Sequence, residues 1–157
     1  MIKMTEKPLY LDANALIRYY SKEEGTLSIR RAFSVSKNEI FISSLTILEF
    51  LGVIVKFRRS GKLRKYELKN IVKRLRRDTN KYGSNRTFTH IKFPKSCFKL
   101  AETLLIGIAE NVSIGANDCI HVAIVKNSEI EMRMVSSDTG LKKICSKINI
   151  EVFDPLF

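Results

Sequence analysis

"LYLDANALIRYY", residues 9–20, sets one carboxylate between two apolar runs. The segment 7–13 reads as a strand, and the residues from Asn14 onward read as a helix with Asn14 as its N-cap. Asp12 therefore falls at the junction of two core elements. A carboxylate taken into a core is costly unless something balances its charge. With Asn14 available as the cap, Asp12 has no structural task of its own. A strand that runs almost directly into a helix is also the opening of a βα unit, so the rest of the chain is read for that alternation.

The alternation continues to the end. Strand-like segments at 38–44 (NEIFISS), 86–93 (RTFTHIKF), 131–138 (EMRMVSSD) and 148–155 (INIEVFDP) are rich in β-branched and aromatic residues. Helical patterns lie between them. Residues 24–37 have a helical rhythm that places Leu27, Phe33 and their neighbours on one face. Residues 45–59 are apolar nearly all round, which predicts a buried helix. Residues 63–78 are amphipathic and basic, with Leu63, Leu68, Ile71, Val72 and Leu75 facing inward. Pro94 opens a helix running to 112, and further helices are predicted over 115–127 and 139–147. Strands alternating with helices imply right-handed crossovers and a parallel sheet covered on both faces. The expected fold is α/β: a three-layer α/β/α sandwich with a central parallel sheet of about five strands. It is one domain over 1–157, with a basic helical segment at about 56–82. In such sheets ligands bind beyond the carboxyl ends of the strands.

Composition narrows the partners. Of 157 residues, 45% are apolar and 28% charged, which is ordinary globular material rather than disorder. The net charge is +12, and between Lys56 and Lys99 there are 16 Lys and Arg against only Glu67 and Asp78. That segment alone exceeds the whole excess, so the remainder is slightly acidic. A field so concentrated, with few acids to pair it, points to a polyanion, and nucleic acid is the common one. Arg58, Arg59, Lys62, Arg64, Lys65, Lys73, Arg74, Arg76 and Arg77 are the residues expected to track a phosphate backbone. Tyr66 and Tyr82 lie among them; they are read as ordinary core or surface residues ahead of base-stacking platforms.

Other classes fall away. Cys97, Cys119 and Cys145 are scattered in apolar contexts with no C-x-x-C, as reduced core thiols of a cytoplasmic protein would be. The stretch "MIKMTEKP" is charged and reaches a proline before any secretory-type apolar run. The stretch 41–57 is short for a membrane span and carries Glu49 at its centre, so no membrane partner is expected.

Four carboxylates fall where a parallel sheet puts its ligands. Asp12 ends the first strand, Glu49 lies in the first turns of the helix after the second, and Asp138 ends the fourth. Topology alone gives these three a common edge. Asp118, near the start of the helix before the fourth strand, is left unplaced by topology. Each has a plain structural reading. Glu49 completes a capping box with Thr46, Asp118 favours a helix N-terminus, and Asp138 caps the helix that follows. Carboxylates brought within a few ångströms raise one another's pKa, and a divalent cation removes that cost. All-oxygen ligation suits Mg²⁺ or Mn²⁺ rather than Zn²⁺.

In order and spacing, "YLDANAL", "SSLTILEF", "NDCIHVAIV" and "MVSSDTGLKKI" with "INIEVFDP" resemble the successive motifs of the PIN-domain nucleases, especially the VapC-like ribonuclease toxins. The resemblance implies that Asp12, Glu49, Asp118 and Asp138 form a metal-binding acidic quartet holding one or two Mg²⁺ or Mn²⁺ ions. It also implies RNA rather than DNA as the substrate, a homodimer, and an antitoxin protein as partner. Asp12 and Asp118 would be direct ligands, with Glu49 and Asp138 completing the site directly or through water. Two departures stand out: Asn14 replaces the Ser or Thr common two residues after the first acid, and Ser136-Ser137 replaces a Thr- or Asn-rich stretch. Asn14, Ser137 and Thr139 are then the residues expected to orient water or a phosphate oxygen. His121 reads as a hydrogen-bonded structural histidine, because metal-assisted hydrolysis needs no imidazole base. Asp154, before Pro155, reads as a turn residue.

Other classes remain to be set against a metal-dependent ribonuclease. One is a non-catalytic nucleic-acid-binding module of the same fold, and another an RNA-processing nuclease outside any toxin–antitoxin pair. A phospho-receiver-like domain would need paired early acids and a late strand-end lysine, neither of which is present.

Overall fold

The computed structural model describes residues 7–35, 39–108 and 110–157. The stretch 1–6, the expected helix end at 36–37, the expected strand start at 38 and position 109 of the long helix lie outside the described residues. The chain runs β1 (Leu9–Leu11), α1 (Ala13–Tyr20), α2 (Thr26–Val35), β2 (Ile40–Ser43), α3 (Ser44–Arg59), α4 (Lys65–Asp78) and β3 (Thr89–Ile91). It continues through α5 (Ser96–Ile108), α6 (Ala116–Lys126), β4 (Arg133–Val135), α7 (Thr139–Lys147) and β5 (Val152–Phe153).

The five strands pair in the order β3-β2-β1-β4-β5, and every pairing is parallel. β1 is thus the central strand. The chain builds outward from it on one side through β2 and β3, and on the other through β4 and β5. The carboxyl ends of β1 and β4 therefore flank the point where the winding reverses, the crevice in which open parallel sheets bind ligands.

The pleat divides the core. Tyr10 pairs in register with Phe41 and Met134, and these three side chains enter one apolar cluster with Cys119, Val122, Ala123 and Ile144. Leu9, Leu11, Ile40, Ile42 and Val135 point the other way, into a cluster with Leu16, Phe50, Ile54 and Phe88. Successive strand residues alternate between the two faces, which makes the middle layer of a three-layer sandwich.

β1 and β2 are shorter than their apolar runs because the residues at their ends turn directly into helices. Ser43 caps α3, its hydroxyl accepting from the Thr46 N–H while the Thr46 hydroxyl takes the Ser43 N–H. The capping box is therefore Ser43–Thr46, and Glu49 is free of the capping role considered for it. Asp12, not Asn14, caps α1: its Oδ1 accepts the Ala15 N–H at 2.7 Å. The cap falls two residues earlier than predicted because this carboxylate is already positioned at the strand end.

Two expectations about helix faces are corrected. α3 is not buried all round: Phe50 and Ile54 enter the core, but Leu48 is 70% and Val55 46% exposed. On α2, Leu27 faces solvent, while Ile29 is buried and Phe33 packs against the same cluster one turn on. The three cysteines are free and buried, and burial pushes the Cys145 thiol up to about 12, as befits inert core thiols. Among the described residues no helix is long and apolar enough to cross a membrane.

Candidate functional site

Asp12, Glu49, Asp118 and Asp138 line one cleft of about 170 Å³, together with Ala13, Asn14, Val53 and His121. Each acid arrives by a different route. Asp12 follows β1, Asp138 follows β4, Glu49 stands in the second turn of α3, and Asp118 in the first turn of α6. Asp118, which strand order alone left unplaced, reaches the cleft because α6 starts at this edge of the sheet.

Three of the acids share one local device. Asp12 Oδ1 accepts the Ala15 N–H at 2.7 Å, Asp138 Oδ1 the Leu141 N–H at 2.7 Å, and Asp118 Oδ2 the Gly115 N–H at 2.9 Å. In each case one oxygen is fixed by the start of a helix, a favourable place for negative charge. No Lys or Arg side chain pairs with any of the three among the described residues.

Asp12 is only 4% exposed. Burial holds its pKa above the ordinary carboxylate value, opposed by the Ser136 hydroxyl, the Ala15 N–H and His121, and reinforced by the charge of Asp138. Burial likewise raises Asp118, and Asp138 and Glu49 add to it. Glu49 is the exception. Its Oε2 lies 2.8 Å from His121 Nε2 and its Oε1 accepts from the Asn117 amide at 2.7 Å, and the His121 contact holds its carboxyl below the usual range.

The smaller expected contributors separate. Asn14 lines the cleft as an exposed residue. Ser137 does not: its hydroxyl donates to Asp154 Oδ1 at 2.8 Å, and Lys142 and the Leu156 N–H complete that carboxylate's partners. Its buried neighbour Ser136 is the serine beside Asp12, and its hydroxyl also accepts the Asp138 N–H at 3.1 Å. A one-residue step along an extended segment reverses the face, and the sequence alone did not fix which serine turned inward. Thr139 is exposed at the first position of α7 and is not among the lining residues. Sequence reasoning missed Tyr10, Asn117 and Ser136. The signal for Asn117 was its place beside Asp118; for Tyr10 it was a polar-tipped aromatic in a central strand, whose hydroxyl needs a partner when buried.

The nine basic residues are all exposed, and none lines the cleft. Only Arg77 has a carboxylate partner, Asp78, among the described residues. α3 connects the two regions: Glu49 and Arg59, ten positions apart on it, are separated by roughly 15 Å of helix axis. Tyr66 and Tyr82 are exposed among these cations.

The donor set suits a hard cation. It is all oxygen, the one histidine has both ring nitrogens engaged within the protein, and three carboxylates face the cleft without protein cations. As they lie, no three His, Cys, Asp or Glu among the described residues are gathered closely enough to grip an ion. The acids share a cleft, and a cation would have to draw them inward.

The chain is a parallel five-stranded α/β sandwich with four carboxylates gathered at its switch point. A PIN-domain model matches residues 9–147, and the chain belongs to the PIN-domain nuclease family. Among solved structures, VapBC2 from Rickettsia felis bound to a promoter DNA fragment is 15% identical with a TM-score of 0.64, covering 94% of this chain and 98% of that one. FitAcB from Neisseria gonorrhoeae is 16% identical at 0.64, covering 94% and 97%. VapC20 from Mycobacterium tuberculosis, a sarcin-ricin-loop-cleaving toxin, is 12% identical at 0.63, covering 86% and 93%. At these identities the likeness is one of fold. No curated protein matches the chain significantly.

Proposed function

We propose that this PIN-domain protein is a Mg²⁺- or Mn²⁺-dependent endoribonuclease, the toxin of a type II toxin–antitoxin pair acting on cytoplasmic RNA. The observation that carries the reading is Asp12: a buried carboxylate at the sheet's switch point, with no Lys or Arg paired to it among the described residues, facing three further acids across one cleft. Asp12, Asp118 and Asp138 would hold the ion through their cleft-facing oxygens, with Glu49 closing the fourth side. Bound there, a divalent cation supplies charge neutralisation at the phosphate and a nucleophile at neutral pH. The chain's own part is orientation. The helix starts of α1, α6 and α7 fix one oxygen of each aspartate. Asn14, at the rim, is placed to orient water or a phosphate oxygen.

The basic arm supplies affinity. Arg58, Arg59, Lys62, Arg64 and Lys65 lie around the turn between α3 and α4, and Lys73, Arg74, Arg76 and Arg77 along α4. Such contacts hold a backbone without reading its sequence. Their separation from the cleft calls for a substrate several nucleotides long. The exposed Leu48 and Val55 on α3 support a protein partner, an antitoxin or a second copy.

The test is cleavage of RNA that requires Mg²⁺ or Mn²⁺, stops with chelator, and disappears in Asp12→Asn and Asp118→Asn with the fold retained. Metal-dependent cleavage persisting undiminished in both variants would sink the assignment. A non-catalytic nucleic-acid-binding module is the second reading, favoured by the open spacing of the acids. It predicts salt-sensitive RNA binding indifferent to metal and to Asp12. An adjacent small reading frame whose product binds this protein separates a toxin from a free-standing RNA-processing nuclease.

A further inference from the structure

His121 has both ring nitrogens engaged, and its two partners belong to different layers of the site. The ring is 1% exposed. Nε2 lies 2.8 Å from Glu49 Oε2, and Nδ1 lies 2.7 Å from the Tyr10 hydroxyl. Tyr10 is fully buried on the central strand, its hydroxyl also 2.9 Å from Ser43 Oγ, while the Thr46 hydroxyl donates to the Leu11 carbonyl at 3.0 Å. One hydrogen-bonded chain therefore runs from the ends of β1 and β2, through His121 on α6, to Glu49 on α3.

The directions of these bonds are constrained. A carboxylate accepts only, so the imidazole must donate from Nε2. That holds whether the ring is neutral or charged, because Tyr10 and Ser43 can each turn a hydroxyl to suit. Glu49 faces His121 Nε2 through Oε2. Its other oxygen accepts from Asn117, also on α6. Glu49 is thus the one acid of the cleft fixed by side chains rather than by a helix start. Burying a polar chain of this kind is stable only if every member is satisfied, which is the case here.

We propose that His121, held by Tyr10, is a positioning residue that donates from Nε2 to fix Glu49 toward the acidic cleft. This rests on the metal-dependent reading above. Outer groups of this sort orient the groups that touch an ion, and their loss costs about 10–100-fold in metal affinity or activity.

The experiment combines a direct observation with a rescue. In the wild-type protein, ¹⁵N-resolved NMR of the imidazole should show a proton on His121 Nε2; a bare Nε2 overturns the proposal without any variant. Mn²⁺ affinity, read by electron paramagnetic resonance, is then compared in His121→Gln and His121→Asn. A glutamine amide reaches the place of Nε2 and keeps a donor for Glu49; asparagine reaches only the place of Nδ1. The expected result is affinity within about threefold of wild type for Gln, against a 10–100-fold loss for Asn. Tyr10→Phe, which keeps the ring's volume, should show a loss between the two. A purely structural histidine would instead order the variants by melting temperature, with Mn²⁺ affinity unchanged in each folded variant. Wild-type binding of Mn²⁺ with undiminished affinity in His121→Asn overturns this inference alone. Failure of the wild type to bind Mn²⁺ overturns the metal-dependent reading, and this inference with it.

Discussion

Two aspartates of this molecule are equally buried and oppositely treated. Asp78, at the end of α4, is 3% exposed, and Asp12, at the end of β1, is 4% exposed. Asp78 is surrounded by donors. Its Oδ2 takes the Tyr20 hydroxyl at 2.7 Å, and its Oδ1 takes Arg77 through Nε at 3.1 Å and Nη2 at 3.0 Å. Its backbone carbonyl accepts both the Thr87 and Phe88 N–H groups at 2.9 Å. Arg74 lies 5.1 Å from the centre of the Tyr20 ring that completes this corner. Asp12 has a backbone N–H, a nearby serine and acids for neighbours. Asp78 is satisfied within the protein, whereas under the proposed function Asp12 would be balanced by a bound cation. The Asp78 corner pins the basic arm to the core; under the proposed function, the Asp12 cleft is the part that arm would serve.

Substitutions should separate the two sharply. The largest effect expected is on activity: Asp12→Asn lowers metal-dependent cleavage at least about a thousandfold, equivalent to about 4 kcal/mol of barrier, in a single-turnover assay. Asp78→Asn should leave the metal dependence of the chemistry intact. Stability reverses the order. Asp78→Ala leaves the buried Tyr20 hydroxyl without its acceptor and should cost roughly 2 kcal/mol by urea unfolding. Breaking the Asp78 corner should also loosen α4 and weaken RNA binding; an unchanged affinity would show that the arm is held by its apolar face alone.

A smaller effect, on metal binding, is expected at Gly140, in α7. A Cβ there would come within 2.5 Å of the Ser113 carbonyl, in the loop that leads to Asp118, and 3.3 Å from Asp138 Oδ1. Gly140→Ala should push those two acids apart and weaken Mn²⁺ binding by about tenfold, as loss of a supporting group does. An unchanged affinity would mean that the cleft tolerates the shift. The smallest effect belongs to the arm. Removing one phosphate-contacting cation, Arg58 or Arg59, should reduce the slope of log affinity against log salt for single-stranded RNA by about 0.7, with no effect on metal affinity.

Much of the architecture was legible because parallel α/β chains repeat one pattern. Strands rich in Ile, Val and Phe alternated with amphipathic helices, and this set the layer order. The convergence of Asp12, Glu49 and Asp138 followed from strand ends sharing an edge. What could not be read were choices made by side chains in three dimensions. Asp12 and Asn14 are both good caps two residues apart, and the strand's exit geometry decided between them. Ser136 and Ser137 are chemically identical, and only the direction of the segment after β4 turned one toward Asp12 and the other to Asp154. α3 reads as apolar all round, but its exposed Leu48 and Val55 could be assigned only once the sheet occupied the opposite face. His121 was recognisable as a hydrogen-bonded core histidine; that its partner was one of the four acids depended on α3 and α6 crossing at the cleft.

The claim that Asp12 awaits a cation is tested most directly by thermal melts of wild type and Asp12→Asn, with and without Mn²⁺. Asparagine keeps an oxygen for the Ala15 N–H while removing the charge. Because burial raises the Asp12 pKa in the fold, its ionised form opposes folding above the unfolded value of 3.8. The contribution worsens as pH rises through the folded pKa and vanishes below 3.8. Without metal at pH 7, Asp12→Asn should therefore melt higher than wild type, by about 2–4 °C per kcal/mol released. The gain should fade on acidification. Mn²⁺ should raise the wild-type Tm and leave that of Asp12→Asn almost unmoved. A variant that melts below wild type at pH 7 without metal, and responds to Mn²⁺ just as wild type does, would contradict the account.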